Sequence, residues 1–296
     1  GGWTLSAGGR ILGGDRRHPD ARRALTLGAD HQQCGADLLA VAGVFPEYWH
    51  IGQSKGGFMS YGLLPFGPEP DSPRLLSPGV LIDGKVETVK TGAITEDVKF
   101  AKYSSPSGLK VSQGRLTPAP HKDGAYSWVK APRYGGHVLE VGPAARILVD
   151  YLQGGNETVK QLVDRFAGMA EIGPEQLNSV LGRHLCRAVS AVVIADFLLD
   201  QTEQINPSAP FIPEIKIPEA GEGFGLTEAS RGALLHYIRI RNYKIDHYEC
   251  VVPTTWNCSP RDDTGRPGAL ESALIGTRVE DPAQQIEANR IVHSFD

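Results

Sequence analysis

The chain has 296 residues, which is enough for one large domain or two of ordinary size. Its apolar share of 41%, charged share of 22% and net charge of −4 are typical of a globular protein and give no basic surface for nucleic acid. Four cysteines without a C-x-x-C pair exclude a disulfide-rich scaffold and favour small buried hydrophobic side chains.

The first part of the chain gives weak signals. Residues 1–36 are rich in Gly and Arg, fit no clear element and lack the basic and apolar regions of a signal peptide. Residues 33–46 predict a helix that Pro46 stops. The Gly-, Pro- and Ser-rich stretch from 60 to 125 predicts loops with small antiparallel sheets, including strands at 79–82 and 85–90.

A helical core is predicted over residues 143–204. Pro143 suits the start of one helix, and Asn156 suits the N-cap of the next. A long helix is predicted from Pro174 to Gln204. Its apolar run at 185–199 is too short to span a bilayer, and it predicts a helix buried almost all round.

The C-terminal part changes to a strand pattern. GEGFG (221–225) predicts a turn before a strand, because it has no phosphate-loop context. Residues 233–241 and 244–252 predict a hairpin that turns at Asn242-Tyr243 and ends at Pro253. Helices are expected at 269–277 and 282–295.

The fold class expected from these elements is α+β, a mainly helical core with small antiparallel sheets and a C-terminal β-hairpin. Residues 1–296 are expected to form a single incomplete domain, in which residues 221–296 carry the hairpin, the site and the C-terminal helices. The fragment is not expected to be stable alone, because a helix that is apolar all round needs neighbours on every side.

One end of the hairpin concentrates polar chemistry. Arg231 precedes the first strand, and the segment PTTWN (253–257) follows the second, so the hairpin brings them together. A guanidinium beside hydroxyls and an amide suits a small anion or a small polar ligand. An equally weighted alternative is that Arg231 pairs with a surface carboxylate and Thr254 caps a turn.

Several segments resemble the large subunit of nickel–iron hydrogenases, in the same order along the chain. They are LLAVAGVFPEYWHIGQSKG (38–56), YSWVKAPRYGGHVLEVGPAAR (126–146), LGRHLCRA (181–188), the stretch from GEGFG to IGT (221–277) and RIVHSFD (290–296). The likeness runs from about residue 37 to the end of the chain.

The resemblance implies a nickel–iron centre with cyanide and carbonyl ligands on the iron, held by two Cys-x-x-Cys pairs. This chain contains neither pair, and none of Cys34, Cys186, Cys250 and Cys258 matches a ligand position. The cysteine ligands are therefore expected outside this chain, which would be a C-terminal portion of a longer subunit.

The family's site residues map onto this sequence as follows. Arg231 matches the guanidinium poised over the metals, and Asp296 matches the acidic residue that would pair with it and orient it. Pro253 and Thr254 match the segment that lines the diatomic ligands, where Thr254 would donate to a cyanide nitrogen. Ser230 stands where the family usually has Pro.

The resemblance also implies a structural magnesium ion. Cys250 falls where a backbone carbonyl of the family coordinates that ion, and Glu96 and Lys130 match polar groups around its waters. Four histidines carry no role in this interpretation and are expected to be structural: His50, His236, His247 and His293.

The implied activity is reversible heterolytic cleavage of H2 into protons and electrons. The electrons would leave through a small subunit that holds the iron–sulfur clusters, since this chain has no cluster motif, and would pass to a membrane cytochrome or another acceptor. Such a complex is expected on the periplasmic face of the membrane, attached through its partners.

Two other classes stay open at the level of sequence. The first is a metal-free relative of the type that contributes to the quinone site of complex I. The missing cysteines fit this class, but Arg231 and PTTWN are present, and an empty site would not require them. The second is a structural or assembly protein without chemistry.

Overall fold

The computed structural model describes residues 37–67, 69, 71–203 and 216–295. The helices are α1 (residues 37–44), α2 (Pro143–Leu152), α3 (Glu157–Ala170), α4 (Val180–Glu203), α5 (Pro253–Asn257), α6 (Ala269–Leu274) and α7 (Ile286–Ser294). Short 3-10 turns occur at Pro46–Trp49, Thr91–Ala93 and Pro174–Leu177.

The strands are β1 (Gly57–Ser60), β2 (Leu63–Pro65), β3 (Arg74–Leu76), β4 (Gly79–Ile82), β5 (Lys85–Glu87), β6 (Ile94–Asp97), β7 (Leu109–Lys110), β8 (Ala131–Tyr134), β9 (Leu139–Val141), β10 (Ala220–Ala229), β11 (Gly232–Arg241) and β12 (Lys244–Val251). They form four small sheets, in the orders β5-β4-β1-β9, β2-β3, β7-β6-β8 and β10-β11-β12. The chain therefore has the expected α+β architecture of helices with small, mainly antiparallel sheets.

The β9–α2 unit joins the helical part to the sheets. Strand β9 pairs in parallel with β1, with Phe58 opposite Glu140, and α2 follows it after Gly142. Pro143 occupies the first turn of α2, as predicted. Helix α2 packs against β1, α3 and α4, so residues 139–152 lie at the centre of the molecule.

Two large apolar clusters make the core. One is helical and includes Ile147, Phe166 and Leu185 from α2, α3 and α4. The other lies between sheets and includes Leu139, Leu235 and Tyr237. Because β11 alternates buried and partly exposed side chains, one face of the three-stranded sheet belongs to this second cluster.

Several sequence predictions are confirmed. The Asn156 side chain accepts a hydrogen bond from the Val159 backbone N–H at 3.2 Å and caps α3. Asn242 and Tyr243 both have positive φ angles, +49° and +60°, as a two-residue hairpin turn between β11 and β12 requires.

The prediction for GEGFG was wrong. Residues 221–225 lie inside β10, which pairs with β11 from Ala220–Arg241 to Ala229–Gly232 and adds a third strand to the hairpin. Glu222 and Phe224 alternate with the glycines, and Phe224 packs its ring against Tyr237. The period of two was a strand signal that the turn interpretation overlooked.

The helix predicted from Pro174 to Gln204 is broken. A 3-10 turn ends at Leu177, and α4 begins at Val180 because the Ser179 hydroxyl accepts the Gly182 N–H at 3.0 Å as an N-cap. Residue 204 lies outside the described residues. The apolar core contacts extend to Ile194, whereas Leu198 is 42% exposed, so the run at 185–199 is not buried all round.

The last helix is shorter than predicted. Residues 282–285 form a turn, in which the Asp281 carboxylate accepts the Ala283 N–H and its carbonyl accepts the Gln284 N–H, both at 2.9 Å. Helix α7 starts only at Ile286. Within the described part of the chain, no helix combines the length and the apolar composition needed to cross a membrane.

Candidate functional site

Arg231 lies in the turn between β10 and β11. Ala229 pairs with Gly232, so Ser230 and Arg231 form the two-residue connection, and both are exposed. Gly232 has a φ of +129°, a backbone conformation that L-residues with side chains rarely adopt. The turn therefore presents a guanidinium between two small residues at the edge of the sheet.

The turn rests directly on the backbone of Val141 and Gly142. A Cβ on Gly232 would come within 2.4 Å of the Gly142 nitrogen, and a Cβ on Gly142 would come within 2.9 Å of the Arg231 carbonyl oxygen. Only glycine at both positions allows this approach without displacing backbone. The Arg146 side chain, one turn further along α2, donates from Nη2 to the Ser230 carbonyl oxygen at 2.7 Å.

The segment PTTWN is hydrogen-bonded to Val141. It forms α5, and the Asn257 side chain makes two 2.9 Å hydrogen bonds with Val141, accepting from its N–H and donating to its carbonyl. Pro253 is buried and Thr254 is exposed. The hairpin thus brings Arg231 and PTTWN to one end of the sheet, as the sequence predicts.

The C-terminal segment approaches from a third direction. Arg183 of α4 stacks on the Phe295 ring, with its guanidinium carbon 3.8 Å from the ring centroid, and Nη1 donates to the Ser294 hydroxyl at 3.3 Å. Arg187 donates to the Ser294 carbonyl at 3.1 Å. Asp296 lies outside the described residues, so its predicted pairing with Arg231 stays a prediction.

A buried ion pair holds Arg183 in place. Its Nε and Nη2 each donate to one oxygen of the Glu140 carboxylate at 2.8 Å, and Ser54 donates its hydroxyl to the same carboxylate. Three consecutive residues therefore contact three parts of the site. Glu140 binds Arg183, which contacts the C-terminal segment; Val141 binds Asn257 of α5; and Gly142 contacts the Arg231 turn. Sequence reasoning assigned no role to these residues.

Glu96 and Lys130 meet in a second, buried cluster. Lys130 Nζ lies 2.5 Å from Glu96 Oε2 and 3.1 Å from Glu249 Oε1, and all three side chains are at most 10% exposed. The pKa of Glu96 is raised to about 7, mainly by burial and to a smaller extent by Glu249, against the opposing effect of Lys130. Sequence reasoning missed Glu249, although its neighbour Cys250 was singled out.

Cys250 and Glu249 point to opposite faces of β12, as successive strand residues must. Cys250 Sγ lies 3.3 Å from His236 Nδ1, which also contacts the Tyr248 hydroxyl. His236 therefore has the local polar partners expected of a structural histidine. The ring of His247 packs against Tyr237 on the other face.

The described cysteines do not form a ligand set. Cys186 is fully buried in the helical core, where burial, with a smaller contribution from Glu140, raises the pKa of its thiol to about 12. Cys34 lies outside the described residues. Among the residues that the structure describes, no three His, Cys, Asp or Glu side chains come together as a metal-binding group.

Comparisons with known proteins identify the family of this chain. The family model for nickel-dependent hydrogenases matches residues 30–296. The periplasmic NiFeSe hydrogenase large subunit of Desulfomicrobium baculatum is 35% identical over 303 residues, covering 97% of this chain and 58% of that protein. The hydrogenase-1 large chain of Citrobacter freundii is 43% identical over 306 residues, covering 88% of this chain and 50% of that protein.

A solved structure supports the same relationship. The reduced Ni-Fe-Se hydrogenase from D. vulgaris Hildenborough aligns with a TM-score of 0.84 and 32% identity, covering 93% of this chain and 58% of that chain. The chain spans about half the length of the curated relatives it matches. Because the family model covers nearly the whole sequence, the chain belongs to the nickel-dependent hydrogenase family.

Proposed function

We propose that this chain forms the part of a nickel–iron hydrogenase large subunit that covers the metal centre. The whole enzyme would cleave H2 reversibly into protons and electrons. The observation that carries the proposal is the exposed Ser230–Arg231 turn, which contacts Val141–Gly142 beside α5, in a chain 31–43% identical to hydrogenase large subunits. Its similarity to those proteins extends through all the segments that form this end of the molecule.

The metal centre would supply H2 binding and electron acceptance when bound. A nickel–iron centre requires soft thiolate ligands, and the described residues do not provide such a set. The role of this chain's described residues is therefore to bind and orient groups around the centre, and no reaction step is assigned to Cys186 or Cys250.

Arg231 would hold a fixed positive charge above the centre. Its guanidinium keeps its proton at any physiological pH and offers five donors in a rigid plane. The small side chain of Ser230 and the absence of one at Gly232 leave room for a bulky group to approach. We infer that Arg231 stabilises developing negative charge electrostatically, and that Asp296 orients it.

Ser230, Pro253 and Thr254 would line the cyanide and carbonyl ligands. Thr254 lies exposed in the first turn of α5, where its hydroxyl is available to donate a hydrogen bond to a cyanide nitrogen. Buried Pro253 would give an apolar wall. The backbone of Cys250, with Glu96 and Lys130, would serve a magnesium site, which the buried Glu96–Lys130–Glu249 cluster supports.

Electrons would pass to a small subunit with iron–sulfur clusters, and from there to a membrane cytochrome or another acceptor. The names of the relatives refer to large subunits, which supports a heteromeric enzyme. One relative is named as periplasmic, and others as uptake hydrogenases, which supports a periplasmic location. The metal-free alternative gains no support from these relatives, which are all named as hydrogenases.

The proposal is tested by isolating the complete complex that contains this chain. We expect nickel in the complex, H2-dependent dye reduction, and a kcat at least about 100-fold lower in Arg231→Lys. Arg241→Lys is the matched control, because Arg241 is also exposed and is the last residue of β11, at the end of the strand away from the Arg231 turn. Absence of both nickel and H2 turnover from the complete complex would contradict the proposal.

A further inference from the structure

Another buried ion pair lies directly beneath the Arg231 turn. Arg146 Nε is 3.2 Å from Glu228 Oε2, and the two side chains are 5% and 0% exposed. Glu228 is itself anchored, because its Oε1 accepts the Tyr61 N–H at 2.8 Å and the Ser60 hydroxyl at 3.3 Å. The pair therefore connects α2, β10 and the end of β1 inside the protein.

Arg146 extends from this pair to the turn. While Nε faces Glu228, Nη2 donates a 2.7 Å hydrogen bond to the Ser230 carbonyl oxygen. That carbonyl belongs to the peptide that links Ser230 to Arg231. The orientation of this peptide sets ψ of Ser230 and φ of Arg231, and the backbone angles of Arg231 decide which χ1 rotamers its long side chain can adopt.

We propose that Arg146, held by Glu228, is a positioning residue that sets the direction of the Arg231 side chain by fixing the Ser230 carbonyl. The inference rests on the proposed function for its effect on catalysis, but its structural part concerns only residues of this chain. Arg146 does not touch the turn's side chains through any described hydrogen bond, so it acts through the backbone.

Stability alone gives a weak reason for burying this pair. A buried Arg–carboxylate pair often adds little net stability over apolar residues of similar volume, because both charges lose their hydration. Here the ionic contact is also poorly aligned, since neither Arg146 Nε nor Glu228 Oε2 has a hydrogen-bond partner among the described residues. The well-formed bond of Arg146 is the one to Ser230.

The glycine contact makes the turn sensitive to this bond. Gly142 and Gly232 touch through backbone alone, so no side chain of either residue locks the turn in place. The buried Arg146 guanidinium adds a side-chain hydrogen bond to the Ser230 carbonyl, in the peptide between Ser230 and Arg231.

The test uses the complete hydrogenase complex with Arg146→Lys. Lysine keeps the charge opposite Glu228, but it cannot face Glu228 and the Ser230 carbonyl with the two arms of a planar fork. The matched control is Arg133→Lys, since Arg133 is also buried and paired, with Asp262 at 3.1 Å, and has no recorded contact with the turn. Arg133→Lys should lower Tm at least as much as Arg146→Lys, because Arg133 also donates to Ser259 and to the carbonyls of Pro132, Pro260 and Arg266.

The first measurement is a structure of each variant. In Arg146→Lys we expect the Ser230–Arg231 peptide to rotate or to occupy two orientations, with Arg231 displaced, while Arg133→Lys keeps the original turn. An unmoved turn in Arg146→Lys would overturn the inference. This outcome does not depend on metal content, so it is distinguishable from a failure of the proposed function.

The second measurement is a double-substitution cycle on H2 oxidation. We expect Arg146→Lys to lower kcat by about 10- to 100-fold with little change in KM, as a displacement of about 1 Å can do. In an Arg231→Lys background the same change should lower kcat less than about twofold further, because both act through one group. Multiplicative effects would contradict a role through Arg231.

A second variant covers the case in which Arg146→Lys does not fold. Glu228→Gln keeps the shape of the side chain and the acceptor for Tyr61. Compared with the parent at least one pH unit above the Glu228 pKa of about 7, it removes the charge that faces Arg146 Nε. We expect a smaller displacement of the same peptide and a smaller fall in kcat. An unchanged turn with unchanged kcat in this variant would also overturn the inference.

Discussion

The two buried Arg–Glu pairs at either end of residues 140–146 use the same residue types in different ways. Arg183 and Glu140 are joined by two 2.8 Å hydrogen bonds, and Arg183 also donates to the Gly52 carbonyl at 2.8 Å. Arg146 and Glu228 approach to 3.2 Å without an aligned hydrogen bond. Both pairs are almost completely buried.

The comparison shows that two equally buried ion pairs can differ in function, because the alignment of their hydrogen bonds differs. The fork-shaped Arg183–Glu140 contact satisfies both charges, so it can act as a rigid support for the C-terminal segment. At the other pair, burial raises the pKa of Glu228 to about 7, despite the opposing effects of Arg146, the Tyr61 N–H and the Ser60 hydroxyl. That carboxyl can take up a proton near neutrality.

The largest expected effect is the loss of stability when the guanidinium of each pair is removed, and it should differ between the two pairs. Arg183→Met leaves the Glu140 carboxylate buried without its fork, and we expect a loss of about 3–5 kcal/mol in the free energy of unfolding. Arg146→Met should cost about half as much at pH 7, because Glu228 can become neutral. Chemical denaturation of the purified protein measures both, and equal losses would remove the distinction.

The double substitution Arg183→Met with Glu140→Met is the control for this comparison. It replaces both charges with apolar side chains of similar length, so it should recover a large part of the loss seen in Arg183→Met. No recovery would mean that the shape of the fork, rather than the unpaired charge, dominates at this position.

The second effect is the pH dependence that Glu228 contributes. Its folded pKa is raised from 4.5 to about 7, so its contribution to stability is complete below pH 4.5 and is lost as pH rises through 7. The total change is up to about 3 kcal/mol. The groups that face it are the side chains of Arg146, Arg74 and Ser60 and the backbone N–H of Tyr61.

Glu228→Gln should therefore flatten the stability profile between pH 4.5 and 7, as unfolding curves at a series of pH values would reveal. The exposed Glu157 on α3 is the control, since Glu157→Gln should leave the slope of the profile close to that of the parent. A parent-like slope in Glu228→Gln would show that the carboxyl does not titrate in this range.

The third effect concerns a histidine beside the rigid pair. Burial lowers the pKa of His184 from 6.5 to about 4, with further lowering by Arg187, Arg183 and Arg290. Because the folded pKa is depressed, the stability contribution of His184 is present above pH 6.5 and is lost as pH falls toward 4. At pH 5 the loss should reach about 2 kcal/mol.

His184→Gln should then be less sensitive to acid than the parent, as thermal unfolding at pH 7 and pH 5 would measure. His50 is exposed, so His50→Gln is expected to keep the parent's sensitivity. If His184→Gln loses as much stability on acidification as the parent, protonation of His184 is not what weakens the Arg183 region.

The smallest expected effect concerns a neutral hydrogen bond, the Asn156 cap of α3, and serves as a reference for the charged sites. Asn156→Ala removes the cap of α3 and should cost about 1 kcal/mol at every pH between 5 and 8, because no charge is involved. Asn156→Asp can accept the same N–H bond from Val159, but it loses the 3.2 Å hydrogen bond from the Asn156 amide to the Leu75 carbonyl and should retain only part of the stability. A pH-dependent loss in Asn156→Ala would point to an indirect effect on a nearby carboxyl.

Much of the site's local structure was predictable from the residues. Asn242-Tyr243 predicted a tight turn, and the turn places β11 and β12 so that Arg231 and PTTWN share one end. GEGFG was misjudged because its glycines hid an alternation that only pairing with β11 makes decisive. Residues 1–36 and Asp296 lie outside the described residues, so the predictions made for them are still predictions.

The sequence by itself determined the elements whose signals are local: the Asn156 cap, the Pro143 start, the hairpin turn and the family motifs. Only the tertiary structure decided which buried charges meet, because Arg146 and Glu228 are 82 positions apart and Arg183 and Glu140 are 43 apart. No periodicity encodes such pairs. These pairs depend on how β9 and α2 pack between the helical core and the sheets. In that dry interior an aligned hydrogen bond is stronger and an unpaired charge is more costly than in water.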